Sequence, residues 1–153
     1  MSVLPVLSQI FERLIKARLV EFLETRKVLS PGQYGFRTAH STAMAVTDMV
    51  ERVRQAWGRG NSAIGVFLDL KKAFDTVNHD ILLSKLEHYG VRGQAQKLIK
   101  SYLDEREQYV VYNEYESERG KLECGVPQGS VLGPLFFLLY VNEEFLHWPF
   151  LCI

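Results

Sequence analysis

The sequence contains little cysteine. Cys124 and Cys152 are its two cysteines, and they show neither a CxxC pair nor the spacing of metal ligands. We therefore expect free thiols and a reducing compartment rather than a disulfide-stabilised secreted protein. The N-terminus also lacks a basic segment followed by an apolar core, so the sequence predicts no secretory signal and an intracellular location, cytoplasmic or nuclear.

The sequence also lacks an apolar run long enough to cross a bilayer. The longest run, Val131 to Val141, is interrupted by Gly133 and Pro134, and a spanning helix needs about 20 apolar residues. This run predicts a core helix and no membrane association.

The chain lacks an excess of either charge, since its formal net charge is zero, but the charges are unevenly distributed. Residues 1–60 contain nine Lys and Arg against five Asp and Glu, and residues 61–153 contain nine against thirteen, which gives +4 and −4. This division would suit a protein that binds a polyanion through its first part, although a small imbalance is also typical of ordinary surface.

Helical spacing of apolar residues recurs along the chain. It predicts an amphipathic helix from Pro5 to about Arg26 and a second helix that starts at Ser41 or Thr42 and stops at Gly58. Both apolar faces are predicted to pack. Three further helices are predicted: one capped by Asp80 and ended by Gly90, one over Gln94–Leu103, and one starting at Ser130.

Three segments read as strands. Ser62 to Leu70 is almost continuously apolar, which predicts a central strand covered on both faces. Gln108–Tyr112 and Arg119–Cys124 predict a hairpin around the polar turn Asn113–Glu118. Helices and strands in this mixed order predict an α+β fold, with helices packed on a mixed, largely antiparallel sheet.

Two carboxylates lie at the end of the apolar strand. Asp69 ends the run and Asp75 follows six residues later. Carboxylates held at a strand end are suitable ligands for Mg²⁺. Asp also favours strand ends and turns through local hydrogen bonds to the backbone, and spacing alone favours that second interpretation.

The acidic segment together with a second motif resembles a known family. Phe67-Leu68-Asp69-Leu70-Lys71-Lys72-Ala73-Phe74-Asp75 is followed about 50 residues later by Gly125-Val126-Pro127-Gln128-Gly129-Ser130-Val131-Leu132-Gly133-Pro134. This pair is similar to the reverse transcriptases of non-LTR retrotransposons. Leu7–Arg13, Gln33–Arg37 with His40-Ser41-Thr42, and Thr76–Asp80 also look like that family, and the resemblance covers roughly residues 4–142.

The resemblance implies roles for individual residues. Asp69 would be a catalytic aspartate and metal ligand, with the backbone carbonyl of Leu70 as the adjacent metal contact. Phe74 would lie under the incoming sugar and exclude a 2′-hydroxyl, and Gln128 and Gly129 would contact the nucleotide and template. From the residues alone, Phe74 also fits a core position and Gln128 an exposed turn before a helix. The implied cofactor is Mg²⁺, with Mn²⁺ as the alternative, and the implied partners are an RNA template, a DNA primer and deoxynucleoside triphosphates.

Other charged residues have less specific interpretations. Arg37 is a candidate for a phosphate or template contact, with surface charge as the equal alternative. Lys71 and Lys72 could lie near nucleic-acid phosphate, but solvated lysines are commoner. Asp75 is expected to orient its turn rather than bind metal. Four histidines, read as loop, cap or surface residues, are assigned no chemistry: His40, His79, His88 and His147.

The sequence departs from the family after Asn142. The family continues there to a hairpin carrying two adjacent aspartates, whereas this chain reads Glu143-Glu144-Phe145-Leu146-His147-Trp148-Pro149-Phe150-Leu151-Cys152-Ile153. We therefore expect a partial reverse transcriptase domain of the right-hand polymerase fold, with fingers-side helices over about 1–60, palm over 61–142 and a divergent tail over 143–153.

This departure predicts a fragment of an RNA-directed DNA polymerase that is inactive as an isolated chain. The alternative is a non-catalytic remnant of a retrotransposon that binds nucleic acid through Arg37 and its basic helices. A phosphate-loop nucleotide-binding protein or an unrelated metal-dependent hydrolase is not supported, because the sequence contains neither GxxxxGK[ST] nor HExxH.

Overall fold

The computed structural model describes residues 6–104, 106–113 and 115–142. Five helices and four two-residue strands follow one another in this part of the chain. The helices are α1 (Val6–Thr25), α2 (Thr42–Gly58), α3 (His79–His88), α4 (Gln94–Leu103) and α5 (Gly133–Val141). The strands are β1 (Glu107–Gln108), β2 (Val111–Tyr112), β3 (Tyr115–Glu116) and β4 (Gly120–Lys121). The predicted α+β class is confirmed, and the segment 143–153, predicted to be a divergent tail, lies outside the described residues.

Helix α1 confirms the predicted first helix, but its apolar side chains are covered only in its second half. Leu19 and Leu23 are buried in the core, whereas Leu7 and Leu14 are exposed. Because α1 carries apolar residues on one stripe along its whole length, its first half presents an uncovered apolar face.

Helix α2 begins where the sequence predicts. The Ser41 side chain caps it by accepting a hydrogen bond from the Met44 N–H at 3.2 Å. The expectation that its apolar face packs is wrong for most of that face, because Val46 and Trp57 are 56% and 68% exposed. The helix is therefore specified by its N-terminal cap and by the helical spacing of its apolar residues, while no described element covers most of its apolar face.

Helices α3, α4 and α5 surround the main core. Leu82, Leu86, Leu103 and Phe136 are fully buried there. The predicted cap of α3 is wrong by two residues: Asn78 accepts the hydrogen bond from the Ile81 N–H at 3.0 Å, and Asp80 lies within the first turn.

Helix α5 is the most completely buried element of the described chain. Its residues from Leu135 to Leu139 are all buried, which confirms the predicted core helix, although the helix begins at Gly133 and not at Ser130. Among the described residues, no helix combines the length and apolar character needed to cross a membrane.

The predicted central strand Ser62–Leu70 is not formed. Residues 61–70 have no regular secondary structure, and Ile64 and Phe67 are 91% and 83% exposed. A strand is stable only when neighbours satisfy its backbone hydrogen bonds and cover its faces. The described residues place no strand beside this segment, so its apolar sequence has nothing to pair with.

The predicted hairpin is confirmed in its pairing but is shorter and interrupted. Glu107 pairs with Lys121 in the outer antiparallel ladder, and Tyr112 pairs with Tyr115 in the inner one. Both ladders are exposed on both faces. The sheet content of the described chain is therefore antiparallel and small.

A buried carboxylate joins three distant parts of the helical core. Glu12 of α1 is 1% exposed and accepts hydrogen bonds from the Val131 N–H at 2.6 Å and the Leu132 N–H at 3.2 Å. It also accepts one from the Tyr102 hydroxyl at 2.9 Å. Burial raises the pKa of Tyr102 above its ordinary value, and the nearby Glu12 charge adds to that rise, so the phenol remains a donor at neutral pH. A negative charge at this position also suits the N-terminal end of α5.

Replacing Glu12 by glutamine is expected to lower the free energy of unfolding by about 1–3 kcal/mol, because a neutral amide cannot accept from all three donors in a buried site. Urea unfolding followed by circular dichroism measures the change. Glu21→Gln on the exposed side of α1 is the matched control. Equal stability of the two variants would contradict the role given to Glu12.

Candidate functional site

The turn after the acidic segment and the Gly-Pro-rich loop lie side by side. The Val126 N–H donates to the Phe74 carbonyl at 2.8 Å, and the Gly125 N–H donates to the Val77 carbonyl at 2.7 Å. An isolated antiparallel bridge also pairs Asn78 with Cys124. The two motifs that are about 50 residues apart in the sequence therefore form one backbone-paired unit.

Gly125 allows the close approach of these two segments. Its φ of +88° lies in the left-handed region, and a Cβ atom there would lie 2.9 Å from the Asp75 carbonyl oxygen. Only glycine satisfies both conditions without strain.

His79 holds the same loop from the other side. Its Nε2 lies 2.7 Å from the Gly125 carbonyl oxygen, and because a carbonyl can only accept, Nε2 must carry the proton. His79 is 9% exposed, so of the loop, cap and surface positions expected for the histidines, the surface position does not apply to it. It is the first residue of α3 and belongs to the Thr76–Asp80 segment. The resemblance of that segment to the family was the only sign in the sequence that His79 has a structural role.

Phe74 is half-buried between other aromatic rings. Its ring centroid is 5.2 Å from that of Phe137 in α5 and 6.3 Å from that of Phe36. These contacts give Phe74 a defined orientation on the surface of the core.

Phe74 also lines a pocket together with the Gly-Pro-rich loop. The cavity has a volume of about 350 Å³ and is lined by Phe74, Pro127, Gln128, Gly129 and Pro134. The structure thus brings together the three residues expected to contact a nucleotide: Phe74, Gln128 and Gly129. Gly129 has a φ of +83°, a backbone conformation that glycine adopts without strain.

Gln128 has a side-chain partner on the opposite segment. Its Nε2 donates to Asp75 Oδ1 at 3.0 Å. Asp75 therefore contacts the loop rather than standing alone on its turn. Spacing along the sequence gave no sign of this pair, because its members are 53 residues apart.

Asp69 and Leu70 lie in the exposed segment and are not among the described residues that line the pocket. Lys71 and Lys72 are exposed as well. The described residues contain no group of three or more His, Cys, Asp or Glu side chains that could hold a metal ion. The described part of the chain by itself therefore does not fit a complete metal site, and the metal-ligand roles of Asp69 and Leu70 stay predictions.

Arg37 is engaged within the protein. Its Nε and Nη2 donate to the two Glu24 carboxylate oxygens at 3.1 and 2.9 Å, and its Nη1 donates to the Ser30 carbonyl at 2.9 Å. The Arg37 side chain is 10% exposed. A phosphate contact stays a prediction, and it would require this ion pair to open.

Comparison with known proteins places these features in a family. A family model described as reverse transcriptase (RNA-dependent DNA polymerase) matches residues 1–149. A probable RNA-directed DNA polymerase from transposon BS of Drosophila melanogaster is 40% identical over 149 residues, covering 93% of this chain and 16% of the relative.

Two further Drosophila melanogaster relatives are similar. The probable RNA-directed DNA polymerase from transposon X-element is 37% identical over 93% of this chain and 16% of its own length. The RNA-directed DNA polymerase from mobile element jockey is 36% identical over 97% of this chain and 16% of its own length. The chain thus spans a small part of each of these relatives.

Replacing Gly125 by alanine is expected to lower the free energy of unfolding by about 1–3 kcal/mol, because the new Cβ meets the Asp75 carbonyl and φ is positive. Gly58→Ala is the matched control, since nothing lies within 4 Å of a Cβ there and its φ is not positive. Urea unfolding compares the two variants, and no difference between them would show that the turn and loop are not closely paired.

Proposed function

Because this chain belongs to the reverse transcriptase family, we propose that it forms the part of an RNA-directed DNA polymerase that holds the incoming deoxynucleotide. In that enzyme class a primer 3′-hydroxyl attacks the nucleotide α-phosphate, and correct positioning supplies much of the acceleration. The proposed partners are an RNA template, a DNA primer and deoxynucleoside triphosphates.

The convergence of Phe74, Gln128 and Gly129 on one pocket is the observation that carries this proposal. The cavity of about 350 Å³ has an aromatic wall, a side-chain amide and a glycine-containing backbone. An aromatic ring can contact a sugar or base, while an amide and an exposed backbone can hydrogen-bond to it. These are the elements that a nucleotide-binding wall requires.

Each pocket residue has a proposed role that its surroundings permit. The Phe74 ring, oriented by Phe137 and Phe36, would lie under the sugar and leave no room for a 2′-hydroxyl. Gln128 would hydrogen-bond to the nucleotide, and Gly129 would let the backbone approach it closely.

Reverse transcriptases generally use divalent metal ions. We propose Asp69 and the Leu70 carbonyl as this chain's contribution to such a site, with Mg²⁺ or Mn²⁺ as the ion. The described residues contain no cluster of three metal-ligating side chains, so the role proposed for this part of the chain is nucleotide binding.

We expect 2′-deoxyadenosine triphosphate, titrated with Mg²⁺ into the ¹⁵N-labelled chain, to shift the NMR resonances of Phe74, Gln128 and Gly129. ATP should bind about 3- to 10-fold more weakly, because its 2′-hydroxyl meets the Phe74 ring. Phe74→Ala should reduce this difference in affinity between the two nucleotides. Phe11→Ala, which changes an exposed ring on α1, should leave it unchanged. Shifts confined to other surfaces would contradict the proposed site.

The isolated chain is expected to extend no DNA primer on an RNA template with Mg²⁺, because its described residues do not complete a metal site. A gel assay with radiolabelled primer measures extension, and a viral reverse transcriptase serves as the positive control. If this chain does extend the primer and Asp69→Ala abolishes the extension, the predicted lack of turnover is wrong, and the polymerase assignment is supported.

A non-catalytic RNA-binding remnant is the alternative, and the structure gives it less support. The Arg37 guanidinium already binds Glu24 and Ser30. RNA binding that weakens steeply with salt, with no deoxynucleotide shift at the pocket, would favour this alternative.

A further inference from the structure

We infer that Asp75 is a positioning residue, which orients the side-chain amide of Gln128 so that the Gln128 carbonyl oxygen faces the pocket ligand. This inference rests on the proposed nucleotide-binding function and adds a residue and a direction of hydrogen bonding to it. The sequence pattern suggests only that Asp75 orients its own turn.

The chemistry of the pair determines the orientation of the amide. A carboxylate can only accept hydrogen bonds, whereas a glutamine side chain has one accepting oxygen and two N–H donors. At 3.0 Å from Asp75 Oδ1, the NH₂ group of Gln128 must be the end that faces the carboxylate. Its Oε1 and its second N–H are then left for other partners.

The backbone around the pair holds both residues in position. Asp75 lies between Phe74 and Val77, whose carbonyls accept from the Val126 and Gly125 N–H groups at 2.8 and 2.7 Å. The close approach of Gly125 to the Asp75 carbonyl further limits the distance between the turn that carries Asp75 and the loop that carries Gln128. The Asp75 and Gln128 side chains are both exposed, but they project from segments that are paired through their backbones.

The consequence for the pocket is an acceptor with a defined direction. Gln128 lines the cavity beside Phe74, so a fixed Oε1 favours a ligand group that donates, such as a sugar hydroxyl or a base amino group. Without Asp75 the amide could rotate and present a donor instead. Asp75 would therefore act through Gln128 and need not touch the ligand.

The first experiment detects the hydrogen bond in the ligand-free chain. In ¹H–¹⁵N spectra, the side-chain amide signals of Gln128 are identified by their loss in Gln128→Ala. One of the two amide protons should be shifted downfield and should exchange more slowly with solvent than the side-chain amide protons of the exposed Gln94. Asp75→Ala should remove both effects, whereas Asp80→Ala, which changes an exposed carboxylate in the first turn of α3, should not. An unchanged Gln128 amide in Asp75→Ala would overturn the inference.

The second experiment measures the consequence for binding. Asp75→Ala and Gln128→Ala should each weaken binding of 2′-deoxyadenosine triphosphate by about three- to tenfold, and the double variant should be no weaker than Gln128→Ala alone. Additive losses would overturn the inference, because they would mean that Asp75 acts independently of Gln128. If the unmodified chain binds no nucleotide, the proposed function fails, and the amide spectrum of the ligand-free chain still decides the Asp75–Gln128 pair.

Discussion

The buried Glu12 carboxylate is the interaction on which the arrangement of the described core depends. It accepts hydrogen bonds from Tyr102 of α4 and from two backbone N–H groups just before α5. Burying a charge is costly unless it is paired or hydrogen-bonded, and Glu12 meets that requirement only when α1, α4 and α5 take their observed positions. The Gln128–Gly129 loop immediately precedes these N–H groups, so the same carboxylate helps to hold the loop over the core.

Backbone pairing between the turn and the loop then builds the pocket. The bonds from Val126 to Phe74 and from Gly125 to Val77 place an aromatic ring and a side-chain amide on the same cavity. Both bonds are independent of side-chain identity, apart from the glycine that permits the approach. The pocket is thus formed by backbone geometry, and its chemistry is set by the side chains of Phe74, Asp75 and Gln128.

Local signals in the sequence predicted the helices well, because caps and periodicity act over a few residues. Ser41 caps α2 as expected, and Gly90, with its φ of +93°, follows α3 as expected. The same reasoning failed for the apolar segment 61–70, since a strand depends on neighbours that no local pattern supplies. It also overestimated the packing of α2, whose apolar face is exposed, because amphipathic spacing does not say what will cover a face.

The sequence by itself determined the family, the presence and approximate extent of the helices, and the candidate residues Asp69, Phe74, Gln128 and Gly129, because motifs and helical periodicity are local properties of a chain. The metal-ligand role of Asp69 remains a prediction. Only the tertiary structure decided which of these residues lie together and which carboxylates hydrogen-bond to the loop that carries Gln128 and to the residues that follow it. Asp75 pairs with Gln128 across 53 residues, and Glu12 reaches Val131 across 119. Such contacts depend on how the elements pack, and spacing along the chain does not encode them.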